Sequence, residues 1–357
     1  MKNALHRFLT QLQPTPLTRK RLQRFRRNKV GFSAFILFCF LFIISMCADF
    51  IANDKPILVW FDGALYMPIY QSIPETAYGG DFPTEAVYTD PFVQDLIKAK
   101  GWMLWPPIPY GYISPSFDLD APAPTPPDSK HWLGTDDQAR DVAARLIHGM
   151  KISLQFGLAL TFFSSIIGLM VGVVQGYFGG LTDLFGQRLI EVWGALPTLY
   201  LLIILSSIVQ PNFSWLLGLM ILMGWPALVG LVRAETLRVR NFDYVRAAKA
   251  LGIADRRIIW SHILPNASVA SLTFLPFIAT ASITTLTALD FIGFGLPAGS
   301  ASLGELLKQG KENLSAPWLG LSGFFAISVL LTLLVFVGEA TRDAFDPRKN
   351  HRQNFES

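Results

Sequence analysis

Apolar residues run through this chain in five windows that lack any Asp, Glu, Lys or Arg: residues 30–48, 152–182, 192–232, 262–289 and 313–338. Each is near or above the roughly 20 residues that cross a bilayer as helix. The third, about 60 Å long if helical, is twice the roughly 30 Å hydrocarbon core and must cross twice. Gln210-Pro211-Asn212 marks the turn at its middle, because Pro removes a backbone donor and Asn tolerates turn geometry. The pattern predicts an all-α polytopic membrane protein with six transmembrane helices, at about 30–51, 153–175, 190–209, 214–232, 267–289 and 318–338.

Composition agrees. The chain of 357 residues is 51% hydrophobic and 16% charged, where soluble domains carry roughly 25% charge. Lys and Arg resist translocation and so orient the spans. Residues 1–29 hold Lys2, Arg7, Arg19, Lys20, Arg21, Arg24, Arg26, Arg27 and Lys29 without an acid, which predicts a cytoplasmic arm. Its place directly before an apolar span favours this topogenic role over a nucleic-acid patch, so the net charge of +4 implies no acidic partner. The apolar run after it is too long for a cleaved signal peptide. Six spans return the tail, 339–357, to the same side, and put residues 233–266 in the cytoplasm and 52–150 outside. The last five spans form one core at 151–338.

Segment 52–150 carries thirteen acids against six Lys or Arg. "WPPIPYG" at 105–111 and "APAPTPPDS" at 121–129 disfavour long helices, so the reading is an insert partly ordered by its aromatics rather than an independent folded domain. It serves either as a spacer or as a dock for an outside partner. In "HWLGTDDQARDVAARLIHG", 131–149, Asp136 or Asp137 is expected to cap an interfacial helix with Val142 and Leu146 on its apolar face. That reading outweighs a catalytic role for His131 and Asp137.

Gly168, Gly172, Gly176 and Gly180 step by four along the second span, a stripe that lets another helix approach closely. Cys39 and Cys47 lie about 12 Å apart along one helix, beyond disulfide reach, and the five histidines show no metal-ligand spacing. Asp49, Glu191, Asp290 and Glu339 all fall near predicted span ends, whereas ion-coupled carriers bury ionisable groups at mid-depth. No G-x-x-x-x-G-K-[ST] loop occurs, so this chain is not expected to bind ATP by that route.

"YVRAAKALGIADRRIIWSHILPN", 244–266, is the polar exception between apolar windows. Tyr244, Ala247, Ala248 and Leu251 repeat at i, i+3, i+4 and i+7, one face of a short helix, with Arg246, Lys249 and Asp243 off it. Gly252 suits a left-handed cap, Asp255 starts a second helix with Ile258, Ile259 and His262, and Pro265 is expected to end it. From the residues alone this is either an amphipathic loop on lipid headgroups or a knob for a partner protein.

The stretch resembles the cytoplasmic signature loop of ATP-binding-cassette (ABC) importer permeases, an E-A-A, three residues, G, nine residues, I-x-L-P pattern. Ala247, Ala248, Gly252, Leu264 and Pro265 fit it; Arg246 stands at the Glu position and His262 at the Ile position. His before I-L-P-N is similar to the dipeptide and oligopeptide branch. "HWLGTDDQARDVAARLIHG", with Ala139 for a glycine, "GYFGGLTD" at 176–183, "ALDFIGFGLP" at 288–297, with Asp290 for a serine, and "TRDAFDPR" at 341–348 resemble that branch too. The insert beginning "FIANDKPILVWFDG" looks most like the YejE type, permeases of peptide and microcin-like uptake systems.

The resemblance implies a bacterial inner-membrane permease subunit that is no enzyme and holds no cofactor. ATP and Mg would sit on two partner ATPase domains. A second homologous permease would complete a heterodimer, and a periplasmic binding protein would deliver peptide. It also implies that Tyr244, Arg246, Ala247, Ala248, Leu251, Gly252, His262, Leu264 and Pro265 form the ATPase-coupling site. A secondary carrier or passive channel for small solutes is the alternative, and a membrane-anchored scaffold a third; the carrier lacks its buried charges, and an anchor needs fewer spans.

Overall fold

The computed structural model describes residues 16–345 other than 118, 120, 207 and 298. The first half of the basic arm, and Arg348 and the rest of the tail from residue 346, lie outside the described residues. Helix α1 (Pro16–Arg27) carries the basic cluster. Asn28 then accepts from Gly31 N–H at 3.1 Å and caps α2 (Lys29–Met46), followed by the single turn α3 (Ala48–Ile51).

The insert forms a folded unit with strands, which corrects both the all-α expectation and the partly ordered one. Strands β1 (Leu58–Phe61), β2 (Ala64–Tyr66) and β3 (Gly101–Leu104) make an antiparallel sheet in the order β2-β1-β3, with α4 (Pro91–Lys100) packed on it. Asp62-Gly63, both at positive φ, closes the β1–β2 hairpin as a two-residue turn whose twist matches the strands. Alternation along "LVWF" turns Val59 and Phe61 inward, where they meet Ile73, Tyr78, Tyr88 and Ile97 in a core separate from the spans. Such a core was hidden because each strand is only three or four residues long and Pro-rich chain surrounds it.

Helix α5 (Val142–Phe178) is 37 residues long, about 55 Å. Asp141, not Asp136 or Asp137, is its N-cap, accepting from Ala144 N–H at 2.7 Å. The expected interfacial helix is therefore the first turns of α5. Asp136 instead accepts from the N–H groups of Gln138 and Arg140 at 2.9 Å and from the Arg140 side chain at 2.7 Å, folding 134–141 into a tight turn. Arg145 and Arg140 reach Glu305 at 2.7 and 3.2 Å, which fastens this turn to α14 (Leu303–Glu312). Asp136, Arg140 and Arg145 are buried and Glu305 is half-buried, and each guanidinium is matched by carboxylates.

After α5 come α6 (Gly180–Gly194), α7 (Thr198–Ser206), α8 (Phe213–Gly224) and α9 (Pro226–Val239). Then follow α10 (Asp243–Ala250), α11 (Asp255–Ile258), α12 (Leu264–Leu272), α13 (Leu275–Ile292), and, beyond α14, α15 (Pro317–Phe345). Among the described residues five segments are long and apolar enough to cross a membrane: 29–46, 142–178, 213–239, 275–292 and 317–345. The expected span at 190–209 is instead a bent pair, α6 and α7, meeting at 64° across Pro197; counted as one crossing it makes the sixth. The turn at 210–212 stands as expected, with Asn212 capping α8 through Trp215 N–H at 2.9 Å.

Helix α5 is the axis of the bundle. A Cβ on Gly168, Gly172 or Gly176 would lie 2.7 Å from Trp225 O, 2.7 Å from Val232 Cβ and 2.6 Å from Thr236 Cβ, so the three glycines seat α9 against α5. Gly180 departs from the stripe: it lies past the end of α5 at positive φ with open space beside it. On α2, Gly31 meets Ala340 of α15, and the Arg21 guanidinium sits 4.6 Å over the Phe345 ring, so α1 and the end of α15 share one side of the bundle.

Candidate coupling site

Residues 240–266 build one surface feature at the end of α5 and α9. Arg240 donates to the carbonyls of Gly176 and Tyr177 at 2.9 and 3.3 Å, meeting the carbonyls that a helix end leaves unpaired. A turn at Asn241–Phe242 then starts α10, whose inner face is Val245 and Ala248. Both are buried with Val173, Val232, Val239, Ile258 and Ile263 in the core between α5, α9 and the loop.

The face expected to be single is split. Ala248 points inward, whereas Tyr244 (46% exposed), Ala247 and Leu251 (80% exposed) look outward. Packing decides this: 245 and 248, one turn apart, meet the core, and the adjacent stripe at 244, 247 and 251 is left over. A leucine so exposed beside a small alanine is an unfilled hydrophobic contact.

Gly252 has φ +74 and ends α10. Its N–H donates to Lys249 O at 3.0 Å, and that of Ile253 to Ala248 O at 3.1 Å, the paired bonds of a Schellman cap. Ile253 packs onto the same core. The next helix opens at Asp255, whose carboxylate accepts from the Tyr177 hydroxyl at 2.5 Å.

Pro265 does not end this helix. The turn Ile259–Ile263 widens to π geometry, and Pro265 falls in the first turn of α12, so the chain runs on helically from Asp255 to Leu272. A proline ring clashes with the carbonyl four residues back in a regular helix, and the wider turn makes room for it. The break comes instead at Thr273-Phe274, before α13. Leu264 packs on the core and Pro265 is exposed.

His262 closes the feature: its ring lies 5.7 Å from that of Tyr244, and Asn266 donates to His262 O at 2.7 Å and to the Tyr244 hydroxyl at 3.4 Å. Arg246 is exposed and, among the described residues, reaches Asn241 Oδ1 alone, at 3.4 Å. The structure thus brings all nine expected residues into one segment of two helices. Tyr244, Arg246, Ala247, Leu251, Gly252 and Pro265 lie on its surface, His262 and Leu264 are half-buried, and Ala248 is inside.

Sequence reasoning missed the anchors. Arg233 holds Asp183 with two bonds, 2.5 and 2.6 Å, tying the start of α6 to α9. A signal existed, since Asp183 is the first charge after one apolar window and Arg233 the first after another, with opposite signs. The Tyr177–Asp255 bond left no such trace. At the other end of the bundle His131 pairs with Asp141 at 2.8 Å rather than with Asp137, fully buried, where it braces the turn before α5. No group of three or more metal-ligating side chains occurs among the described residues.

The family profile described as "Binding-protein-dependent transport system inner membrane component" matches residues 165–351, a stretch that contains this feature. The chain is 55% identical over 335 residues to "Inner membrane ABC transporter permease protein YejE" of Escherichia coli (strain K12), covering 94% of this chain and 98% of that protein. It is 52% identical to "Peptidoglycan transport system permease protein YejE" of Agrobacterium fabrum, covering 95% of each. It is 32% identical to "Oligopeptide transport system permease protein OppC" of Lactococcus lactis (strain IL1403), over 62% of this chain and 77% of that protein. With apolar spans, family profile and near full-length relatives in agreement, this multi-pass inner-membrane chain belongs to the binding-protein-dependent transport permeases, the membrane components of ABC transporters, and within them to the YejE type.

Proposed function

We propose that this chain is half of the translocation path of a peptide importer, paired with a second, homologous permease. A periplasmic binding protein delivers the cargo, peptides of the microcin-like class included, and two ATPase domains that hold ATP and Mg dock at 244–265. The relative named for peptidoglycan transport is compatible with this cargo, because peptidoglycan carries short peptide stems. In this reading α1 and the end of α15 face the cytoplasm with the loop, and the insert stands in the periplasm.

The observation that supports docking best is the outward stripe of Tyr244, Ala247 and Leu251, displayed on a helix whose opposite face is locked into the core of α5 and α9. A knob anchored this way moves with the helices beneath it. Closure of the ATPase pair would push it, and α5 and α9, held together by Gly168, Gly172 and Gly176, would rock as one body. No covalent chemistry falls to this chain.

Purification of the complex from membranes with a tag on this chain tests the reading. Two ATPase subunits and a second permease are the expected companions, and a preparation that transports peptide without any ATPase would overturn it.

A further inference from the structure

The insert holds a cavity of about 1020 Å³ that no part of the fold explains. It is a half-open cleft, lined by residues 105–117 together with residue 54 and the segment 87–94. Its walls include the rings of Trp105, Tyr110 and Phe117, and its polar groups include Asp54, Thr89 and Gln94. The size lies at the top of the range of small-molecule sites, and the mix of aromatic wall with a few polar groups is what such sites share.

Charge identifies the ligand. Asp54 is the only acid on the described lining, and no Lys, Arg or His joins it there. Asp54 makes no ion pair with any described residue; its Oδ2 accepts a hydrogen bond from Ser114 Oγ, which fixes the carboxylate in place. Gly111 permits this, since a Cβ there would come within 2.9 Å of the same oxygen. The Ser116 hydroxyl is buried with no partner among the described residues, and Phe117, 94% exposed, stands as a bare aromatic ring at the rim.

A fixed carboxylate with no cation on the described lining, in a cleft that also presents aromatic rings, suits an ammonium group, which gains a charge-assisted hydrogen bond from the one and cation–π attraction from the others. A phospholipid amine would bring a phosphate that finds no base on this lining. A peptide N-terminus brings its ammonium on an uncharged backbone and side chains that fill aromatic walls. We propose that this cavity is a peptide-binding site, in which Asp54 pairs with the α-ammonium group and Trp105, Tyr110 and Phe117 hold the first side chains. The identification of this peptide as cargo in transit rests on the importer reading; the binding itself does not.

The test is calorimetric titration of the full-length chain in lipid nanodiscs with Ala-Phe-Ala and its N-acetylated form. Binding of the free peptide is expected, weakened roughly tenfold or more by acetylation and by Asp54→Asn, as befits loss of a hydrogen bond between charged groups. Trp105→Ala is expected to weaken both peptides alike, and an unchanged melting temperature of each variant shows that the insert stays folded. Equal binding of the acetylated peptide, wild-type affinity in Asp54→Asn, or no binding of either peptide would each overturn the site. If the site fails while the complex still carries its ATPases, only this inference falls; if the ATPases are absent and Ala-Phe-Ala binds, only the importer reading does.

Discussion

The Tyr177 hydroxyl donates to the Asp255 carboxylate at 2.5 Å, joining the last turn of the longest helix in the bundle to the first residue of the helix after Gly252. Lys249 adds to the contact, its ammonium 5.9 Å from the Tyr177 ring. Segment 244–266 is thus bonded to α5 on one side of the glycine and packed onto it on the other.

Tyr177→Phe removes only this hydroxyl. A hydrogen bond to a charged group contributes about 1.5–3 kcal/mol, so local opening of 254–258 should become about tenfold or more frequent. Amide hydrogen exchange over those residues measures it, with unchanged exchange counting against the strut. In the assembled transporter the same variant should lower peptide uptake more than it lowers ATP hydrolysis, since force enters the loop but leaks before α5.

Gly252 has open space around its Cα, so a side chain there meets no steric wall inside this chain. Its cost lies in φ, about 1–2 kcal/mol for a non-glycine residue held in the left-handed region, and more for a β-branched one. Gly252→Val and the charged Gly252→Asp should therefore cut the ATPase recovered with the tagged chain several-fold, while the amount of chain in the membrane stays the same. Undiminished recovery in both variants would show that the glycine does not shape a docking surface.

Ala139 carries φ +61 in the turn before α5, where the family pattern has glycine. The bonds around it hold it there: Ala139 N–H donates to Asp136 O at 3.1 Å, and Arg140 is clamped to Asp136. Ala139→Gly should relieve a left-handed strain of about 1–2 kcal/mol, set against up to about 1 kcal/mol of extra freedom in the unfolded chain. A small rise in the thermal midpoint in detergent is expected, and a fall would mean that the methyl group contributes packing.

The insert responds to alkali through one pair. Tyr78 and Tyr88 are buried with their hydroxyls 3.1 Å apart. Burial raises the pKa of both above the ordinary value near 10, and the shared hydrogen bond raises that of Tyr88 further. A pKa raised in the folded state means that the unfolded chain loses these protons first. The stability of the insert is therefore whole below pH 10 and falls as pH rises past it. Tyrosinate absorbance at 295 nm should show these two rings ionising only as the insert unfolds, and Tyr88→Phe should move that transition to higher pH.

How much was legible in the sequence differs from segment to segment. Charge-free windows located the spans because a bilayer admits no uncompensated charge at mid-depth, and that rule acts on composition alone. The glycine stripe pointed to close helix contact and Gly252 to a left-handed cap, since only glycine meets either need cheaply. A period of 3.6 likewise brought Tyr244, Ala247 and Leu251 to one face.

The misses share a cause. Whether Ala248 belongs to the outward face or the core depends on the angle at which α10 rests on α5 and α9, which no local pattern encodes. Pro265 sits inside a continuing helix because the π turn at 259–263 absorbs its ring, and that turn is held by core contacts of Ile258 and Ile263. Asp141 wins the cap from Asp136 because Arg140 and Arg145, themselves held by Glu305 of α14, occupy the Asp136 carboxylate. The strands of the insert are too short to carry a period, and their pairing required Gly101–Leu104 to come back some forty residues later to Leu58–Phe61.

By itself, then, the sequence determined which segments leave water, which one stays polar between them, and where the backbone must turn left-handed, because solvation and steric limits operate residue by residue. The tertiary structure decided which face of that polar segment is free, what anchors it, and that the insert forms a cleft lined in part by Asp54, because burial and charge pairing are settled only when distant parts of the chain meet.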